Sequence, residues 1–330
     1  MKTFMSTATT GESRVCVVIV NYRTARLTID CLRSLVGERA VLGGRMSVIV
    51  TDNLSPGDSV RRISEAVAEN GWGEWVRVMP LPRNAGFAYG NNEAIRALMA
   101  EGELPDYVHL LNPDTVVYPG AVVELVKFMD AHPRVGIAGS RLENVDGSPQ
   151  PSACRFHSLR GEINDGIRLG VVSKFLSKYE VAPPAPKETC EVDWVSGASF
   201  FVRSKVIEQI GLLDETYFMY YEETDFSLRA MRAGWERWYV TASRVTHLQG
   251  QATGGPAGKR VPSYYFDSRR WYFVKHHGRL VAALADLAWG VTYALWRVRR
   301  WVQRKRDNDP PCYLSDFVRN SVFARGFKCH

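Results

Sequence analysis

Five runs rich in apolar, largely β-branched residues mark the first 140 positions: VCVVIV at 15–20, MSVIV at 46–50, VRVM at 76–79, YVHLL at 107–111 and VGIA at 135–138. Runs that are continuous rather than alternating read as strands buried on both faces of a parallel sheet. Between them, 24–36, 59–69, 87–100 and 120–131 carry apolar positions at helical spacing. Strand alternating with helix predicts an α/β fold with a mostly parallel, doubly wound sheet. Such sheets bind ligands beyond the carboxyl ends of their strands. Asn21-Tyr22-Arg23 closes the first run, Thr51-Asp52-Asn53 the second and Asn112-Pro113-Asp114 the fourth. Asn21, Asp52 and Asp114 are therefore expected on one rim.

The pattern changes after residue 140. Residues 143–187 are turn-rich and polar, include a Pro-Pro-Ala-Pro run, and read as a long, partly mobile connection. A strand is expected over 192–202 around Ser196-Gly197-Ala198, and another over 235–245, ending at Thr246-His247. Between them an aromatic run, 217–221, leads into the carboxylates Glu222, Glu223 and Asp225. Acidic groups beside an apolar wall gain the raised proton affinity that a general base needs near neutral pH. Residues 226–233 read as a helix closed by Gly234, with Asp225 and Arg229 four apart and able to pair. Taken alone, the triplet is equally a capped, salt-bridged helix start. The Gly-rich stretch 249–262 suits a lid.

The tail differs again. Residues 280–296 (LVAALADLAWGVTYALW) are almost wholly apolar and precede RVRRWVQRKR. Seventeen residues fall short of the roughly 20 that a bilayer span needs. With Trp289, Tyr293, Trp296 and Trp301 they fit an interfacial helix on an anionic membrane surface, and equally a core helix with a solvated basic end.

Composition narrows the classes. The 330 residues are 45% hydrophobic and 23% charged, with a net charge of +7. That surplus favours polyanionic neighbours such as nucleotide phosphates. It gathers in the tail rather than beside stacking aromatics, so no nucleic-acid partner is expected. Six scattered cysteines without a C-x-x-C pair suit neither a zinc module nor a disulfide framework, and fit a reducing cytoplasm. No apolar core of signal-peptide length precedes Arg14, and export is not expected. The first turn is NYRT, without the glycines of a dinucleotide-binding strand or a P-loop, and no G-x-S-x-G elbow occurs. Asp114, after a buried strand and a proline turn, is placed to give one carboxylate to a divalent cation. His247, at another strand end, could add a second ligand, although alone it is an ordinary loop histidine.

Eight stretches in order resemble glycosyltransferase family 2, and within it the bacterial rhamnosyltransferase-like members: VVIVNYR (17–23), TDN (51–53), RNAGFAYGNN (83–92), LLNPDT (110–115), DWVSGA (193–198), GLLDETYFMYYEETDFSLR (211–229), VTHLQG (245–250) and YFVKHHG (272–278). The resemblance implies an inverting, metal-dependent enzyme of GT-A fold, with a catalytic domain over 14–262. Its nucleotide-binding half would be about 14–140 and its acceptor half about 141–262. A flexible segment, 1–13, would precede it, and a helical, basic, membrane-associating region, 263–330, would follow. The resemblance assigns Asn21, Tyr22, Arg23, Asp52, Asn84, Gly86, Asn91, Asn112 and Asp114 to the nucleotide-sugar, with backbone N–H groups of the 83–92 turn facing phosphate. Asp114 and His247 would hold Mn2+ or Mg2+, Asn112 standing where the family's metal motif begins with Asp. Glu223 would be the catalytic base, where many members have Asp. Trp194, Gly197, Glu222, Asp225 and Arg229 would support the acceptor side. dTDP-rhamnose is the favoured donor, with UDP- and GDP-sugars open, and a lipid-linked saccharide the acceptor, at the inner face of the cell membrane. A nucleotidyltransferase and a silent nucleotide-sugar-binding protein are the alternative readings.

Overall fold

The computed structural model describes residues 12–248 and 260–328. Its first half follows the hydrophobic pattern closely. Strands β1 (Val15–Asn21), β2 (Met46–Asp52), β3 (Val76–Pro80) and β4 (Tyr107–Leu111) pair in parallel in the order β3-β2-β1-β4. Helices α1 (Ala25–Leu42), α2 (Ser59–Glu69), α3 (Gly86–Ala100) and α4 (Ala121–Ala131) connect them or follow them. Every residue of β1 and β4 is buried, as continuous β-branched and apolar runs require.

The second half is mixed rather than parallel. The short strand β5 (Thr115–Val117) precedes α4, and β6 (Val135–Glu143) follows it. After the two-residue strand β8 (Cys190–Glu191), the expected strand over 192–202 is broken at Ser196–Ala198 into β9 (Trp194–Val195) and β10 (Ser199–Arg203), and α7 (Ser204–Ile210) follows. The expected helix after the acidic triplet begins four residues early, as α8 (Glu222–Arg232), so the carboxylates form its first turn. Gly234 follows it at φ 93°, the left-handed position expected of it. β11 (Glu236–His247) runs parallel to β6 and antiparallel to β5, and β10 slots antiparallel between β4 and β6. That insertion turns the Ser196–Ala198 loop to the same rim as the ends of β1, β2 and β4.

Residues 143–187 are not a bare connection. They hold β7 (Ala153–Cys154), which pairs with β9, then α5 (Leu159–Ile167) and α6 (Gly170–Leu176). α5 packs on α9 (Ser263–Val302), the long C-terminal helix, which bends at Gly278, where φ is 81°. A buried ion cluster joins the two: Arg269 donates to Glu162 Oε2 at 2.7 Å and to Asp286 Oδ1 at 2.5 Å. Burying three charges is tolerated only when they satisfy one another. α10 (Tyr313–Asn320) and α11 (Val322–Arg325) close the layer. Trp289, Tyr293, Phe266 and Phe317 form one core there, and Tyr272, Phe273 and Ala285 another with Tyr217, Tyr221 and Leu228 beside α8. No helix among the described residues is long and apolar enough to cross a membrane. The expected lid, 249–262, lies mostly outside the described residues, as does the expected flexible segment 1–13.

Candidate active site

The ends of β1 and β2 are tied side chain to side chain. Asn21 is fully buried and donates from Nδ2 to Asp52 Oδ2 at 2.5 Å, while its Oδ1 accepts from Thr24 and Thr28, each at 2.9 Å. Asp52 Oδ1 accepts from the Ser55 backbone N–H at 2.7 Å. Asn21 is thus a strut that fixes Asp52. The neighbouring turn presents Tyr22, half-buried, with the exposed Arg23 guanidinium 5.1 Å from its ring centre.

The 83–92 turn is clamped onto the loop that precedes α8. Phe87 donates its backbone N–H to Phe218 O at 2.8 Å, and Asn53 Nδ2 donates to Gly86 O at 2.9 Å. Gly86 sits at φ 95°, and a Cβ there would lie 1.9 Å from Phe218 O, so only glycine permits this approach. Asn84 Oδ1 accepts from the Gly86 N–H at 3.1 Å. The expectation that these N–H groups face phosphate is corrected at two positions: those of Gly86 and Phe87 are already bound within the protein. Asn91 is fully buried, with Nδ2 on Phe87 O at 2.9 Å and Oδ1 without a protein partner. Asn92, missed from sequence, binds Leu213 O at 2.9 Å and Glu215 at 2.8 Å, stitching α3 to the approach of α8.

Pairing of β5 with β11 sets Thr115 opposite His247. It brings His247 Nε2 to 3.5 Å from Asp114 Oδ1, with Asp114 buried. Two donors each about 2.0–2.2 Å from one cation would be separated by a comparable distance, so imidazole and carboxylate fit a shared divalent ion. Among the described residues no third His, Cys, Asp or Glu completes a cluster. Such a cation would draw its remaining ligands from water and phosphate oxygens, the usual arrangement at nucleotide sites. Asn112 does not reach this pair with a charge; its backbone N–H binds Ala198 O at 3.1 Å, and its carbonyl accepts from Thr115.

That bond joins the Asp114 loop to the loop that meets the acidic triplet. A Cβ at Gly197 would lie 3.4 Å from Glu223 Oε1, and the Gly197 backbone N–H binds this carboxylate. Glu223 Oε2 and Glu222 Oε2 are buried without protein partners. Burial pushes both carboxyls above the ordinary glutamate range, Glu222 further because Glu223 repels it; backbone N–H groups temper the rise at Glu223. Tyr220 and Tyr221 enter α8 at φ 70° and 72°. Two successive aromatics in the left-handed region cost about 1–3 kcal/mol each, a strain held where the carboxylates are presented. Trp194 donates from Nε1 to Arg155 O at 2.8 Å, and its ring stacks near His157, which packs on Tyr221.

Asp225, itself fully buried, faces the other way, into a cluster of basic side chains. It accepts from Arg229 Nε at 2.8 Å, His276 Nε2 at 2.7 Å and Lys275 Nζ at 2.6 Å. Burial alone would raise its pKa, but the His276 hydrogen bond and the Arg229 and Lys275 charges hold it well below the carboxylate range. Arg229 also donates to Ile210 O and Leu212 O, each at 2.8 Å. Lys275 and His276 belong to the YFVKHHG stretch, which the sequence singled out without giving it a task. The structure supplies one: bolting α9 to the helix that carries Glu223.

A family model described as "Glycosyltransferase like family 2" matches residues 13–274. Among characterised relatives, an N-acetylglucosaminyl-diphospho-decaprenol L-rhamnosyltransferase of Mycobacterium tuberculosis is 29% identical over 62% of this chain and 68% of its own. The rhamnosyltransferase WbbL of Escherichia coli is 28% identical over 49% of this chain and 60% of its own. Two solved structures share the fold: GalNAc-T7 with UDP, GalNAc and Mn2+, and a mannosyltransferase of Pyrobaculum calidifontis with GDP-Man and Mn2+. Their TM-scores are 0.59 and 0.55, at 16% and 14% identity, covering 89% and 88% of this chain. The chain spans 56% of the first and 76% of the second. The match over 13–274, on a mixed α/β sheet of GT-A type, makes this chain a member of glycosyltransferase family 2.

Proposed function

We propose that the chain transfers a sugar, L-rhamnose from dTDP-rhamnose first among candidates, to a lipid-linked saccharide at a membrane surface, with inversion at the anomeric carbon. The rhamnosyltransferase relatives support the donor, and the decaprenol-linked substrate in one relative's name supports the acceptor. In this reading residues 14–140 hold the nucleotide: Asp52, fixed by Asn21, meets base or ribose, and Tyr22 and Arg23 edge the pocket. Asn84, Gly86 and Asn91 shape its wall through the clamp on Phe218. Residues 141–262 receive the acceptor against Trp194 and Gly197, and residues 263–330 brace the site and face the membrane, from the cytoplasmic side.

The observation that carries the reading is the Asn112–Ala198 hydrogen bond, which holds the Asp114–His247 pair and the Gly197–Glu223 contact in one rigid frame. Asp114 and His247 would hold Mn2+ or Mg2+, which would supply positive charge against the negative charge building on the departing nucleoside diphosphate. Glu223 takes the proton of the attacking acceptor hydroxyl. Its raised pKa makes it a stronger base than a solvated glutamate, and its unpartnered Oε2 is available to the substrate. The Gly197 N–H orients the carboxylate, and the strained Tyr220-Tyr221 entry fixes where it points. A positioned base contributes about 10²–10⁴-fold. Glu223→Gln should therefore cut transfer by that factor while leaving donor affinity, measured by calorimetry, unchanged. Undiminished turnover in this variant would move the base elsewhere.

A further inference from the structure

Beyond Gly278, α9 continues over residues 279–302, about 36 Å at 1.5 Å per residue. One side is committed to the protein: Ala282, Ala285, Asp286, Trp289 and Tyr293 are buried. That side helps to close a cavity of about 630 Å3 shared with Glu162, Arg269 and Tyr265. The other side carries Leu280, Leu284, Leu287, Val291, Leu295, Val298 and Val302, spaced by three or four residues throughout. These and Trp301 are exposed at 42–79%. An unbroken apolar line of seven residues is more than the scattered exposed leucines of an ordinary surface. Where the line ends, positions 297–307 hold six Arg or Lys against one acidic residue, Asp307. Arg304, Lys305 and Arg306 are exposed.

We propose that this face of α9 lies in the plane of an anionic bilayer, its apolar line in the acyl boundary and the basic end on the headgroups. The inference deepens the membrane-surface part of the proposed function and rests on it only for its purpose. The opposite face, with Asp286 bound to Arg269, cannot leave the protein, which fixes the helix as lying on the membrane rather than spanning it. Charge complementarity selects the occupant: a cationic cluster beside an apolar line matches acidic lipid, and it would repel a second copy brought up in parallel. The arrangement would hold α5, part of the acceptor half and packed on α9, close to the lipid surface.

The test uses the full chain and vesicles of phosphatidylcholine, with or without about one third phosphatidylglycerol, in a sedimentation assay. The chain should partition onto the anionic vesicles, more weakly as salt rises. The triple variant Leu284→Ser, Leu287→Ser, Val291→Ser removes solvent-exposed side chains and should lower partitioning by at least about a hundredfold. The variant Arg304→Gln, Lys305→Gln, Arg306→Gln should lose the preference for anionic over neutral vesicles. Both should hydrolyse a nucleotide-sugar as the parent does, because neither touches the site. A parent chain that stays in the supernatant with both vesicle types overturns the inference, as does serine-variant binding equal to the parent's. Self-association removed by the serine variant, without vesicle binding, also overturns it by assigning the face to a second copy. Loss of donor hydrolysis in the parent would instead refute the glycosyltransferase reading and leave the vesicle result intact.

Discussion

Replacing Asp225 with Asn keeps the shape of the side chain and removes its fully buried charge from the cluster. Arg229, Lys275 and His276 then face an amide that cannot accept from all of them. Breaking a buried pair by removing one partner costs about 3–5 kcal/mol. Here the cations keep some water, with side-chain exposures of 19% for Arg229 and 25% for Lys275. Arg229 also keeps the Ile210 and Leu212 carbonyls and Lys275 keeps Asp214. A loss of about 2–3 kcal/mol follows after this screening. For a chain of this size that lowers Tm by roughly 3–4 °C. The sign with pH is definite: a carboxyl whose folded pKa is depressed stabilises above its unfolded value and loses that contribution as pH falls through the folded one. The Tm gap between parent and variant should therefore be flat from about pH 8 to about pH 5 and narrow only below about pH 4. Because Glu223 sits on the same helical turn, a shift of about 1 Å in α8 would cost about 10²-fold in kcat. Calorimetric melting across pH, with turnover measured well below Tm, reads both effects. A variant that melts with the parent and turns over at the parent's rate would refute the bolting role of Asp225.

Two further substitutions probe neighbouring contacts. Gly86→Ala drives a methyl into the Phe218 carbonyl at a left-handed φ, so Tm should fall and kcat with it, by more than Gly211→Ala, whose Cβ would meet nothing within 4 Å; equal losses would remove the clamp from the explanation. Glu222→Gln should raise Tm at neutral pH, because a carboxyl whose pKa is raised on folding stabilises only while protonated, and the gain should vanish as pH falls below the unfolded glutamate value. Thermal melts of this variant at acid and neutral pH check the sign.

The rim was legible because buried parallel strands are written as continuous apolar runs that stop at a polar residue. Asn21, Asp52 and Asp114 fall where those stops predict. What could not be read were contacts made across long sequence distances. Nothing local says that Glu38 of α1 accepts the Gly120, Val122 and Val123 backbone N–H groups and so caps α4. α5 reads as part of a connection because its inward face carries Glu162, a charge that can be buried only because Arg269 meets it. The mixed half of the sheet was hidden for a related reason: β10 reads like any buried strand, and only its pairing with β4 and β6 sets its direction. In the tail the composition announced an apolar helix, but which residues face the protein emerged from the packing of Trp289 and Tyr293.

The most direct test of the central claim is release of nucleoside diphosphate from dTDP-rhamnose, UDP-sugars and GDP-sugars with a short-chain N-acetylglucosaminyl-diphospholipid acceptor, in Mn2+ and again after a chelator. One donor, dTDP-rhamnose foremost, should be consumed with Mn2+ and spared after chelation. Release that persists undiminished in the chelator would contradict the metal role of Asp114 and His247, and no release from any donor would contradict sugar transfer itself.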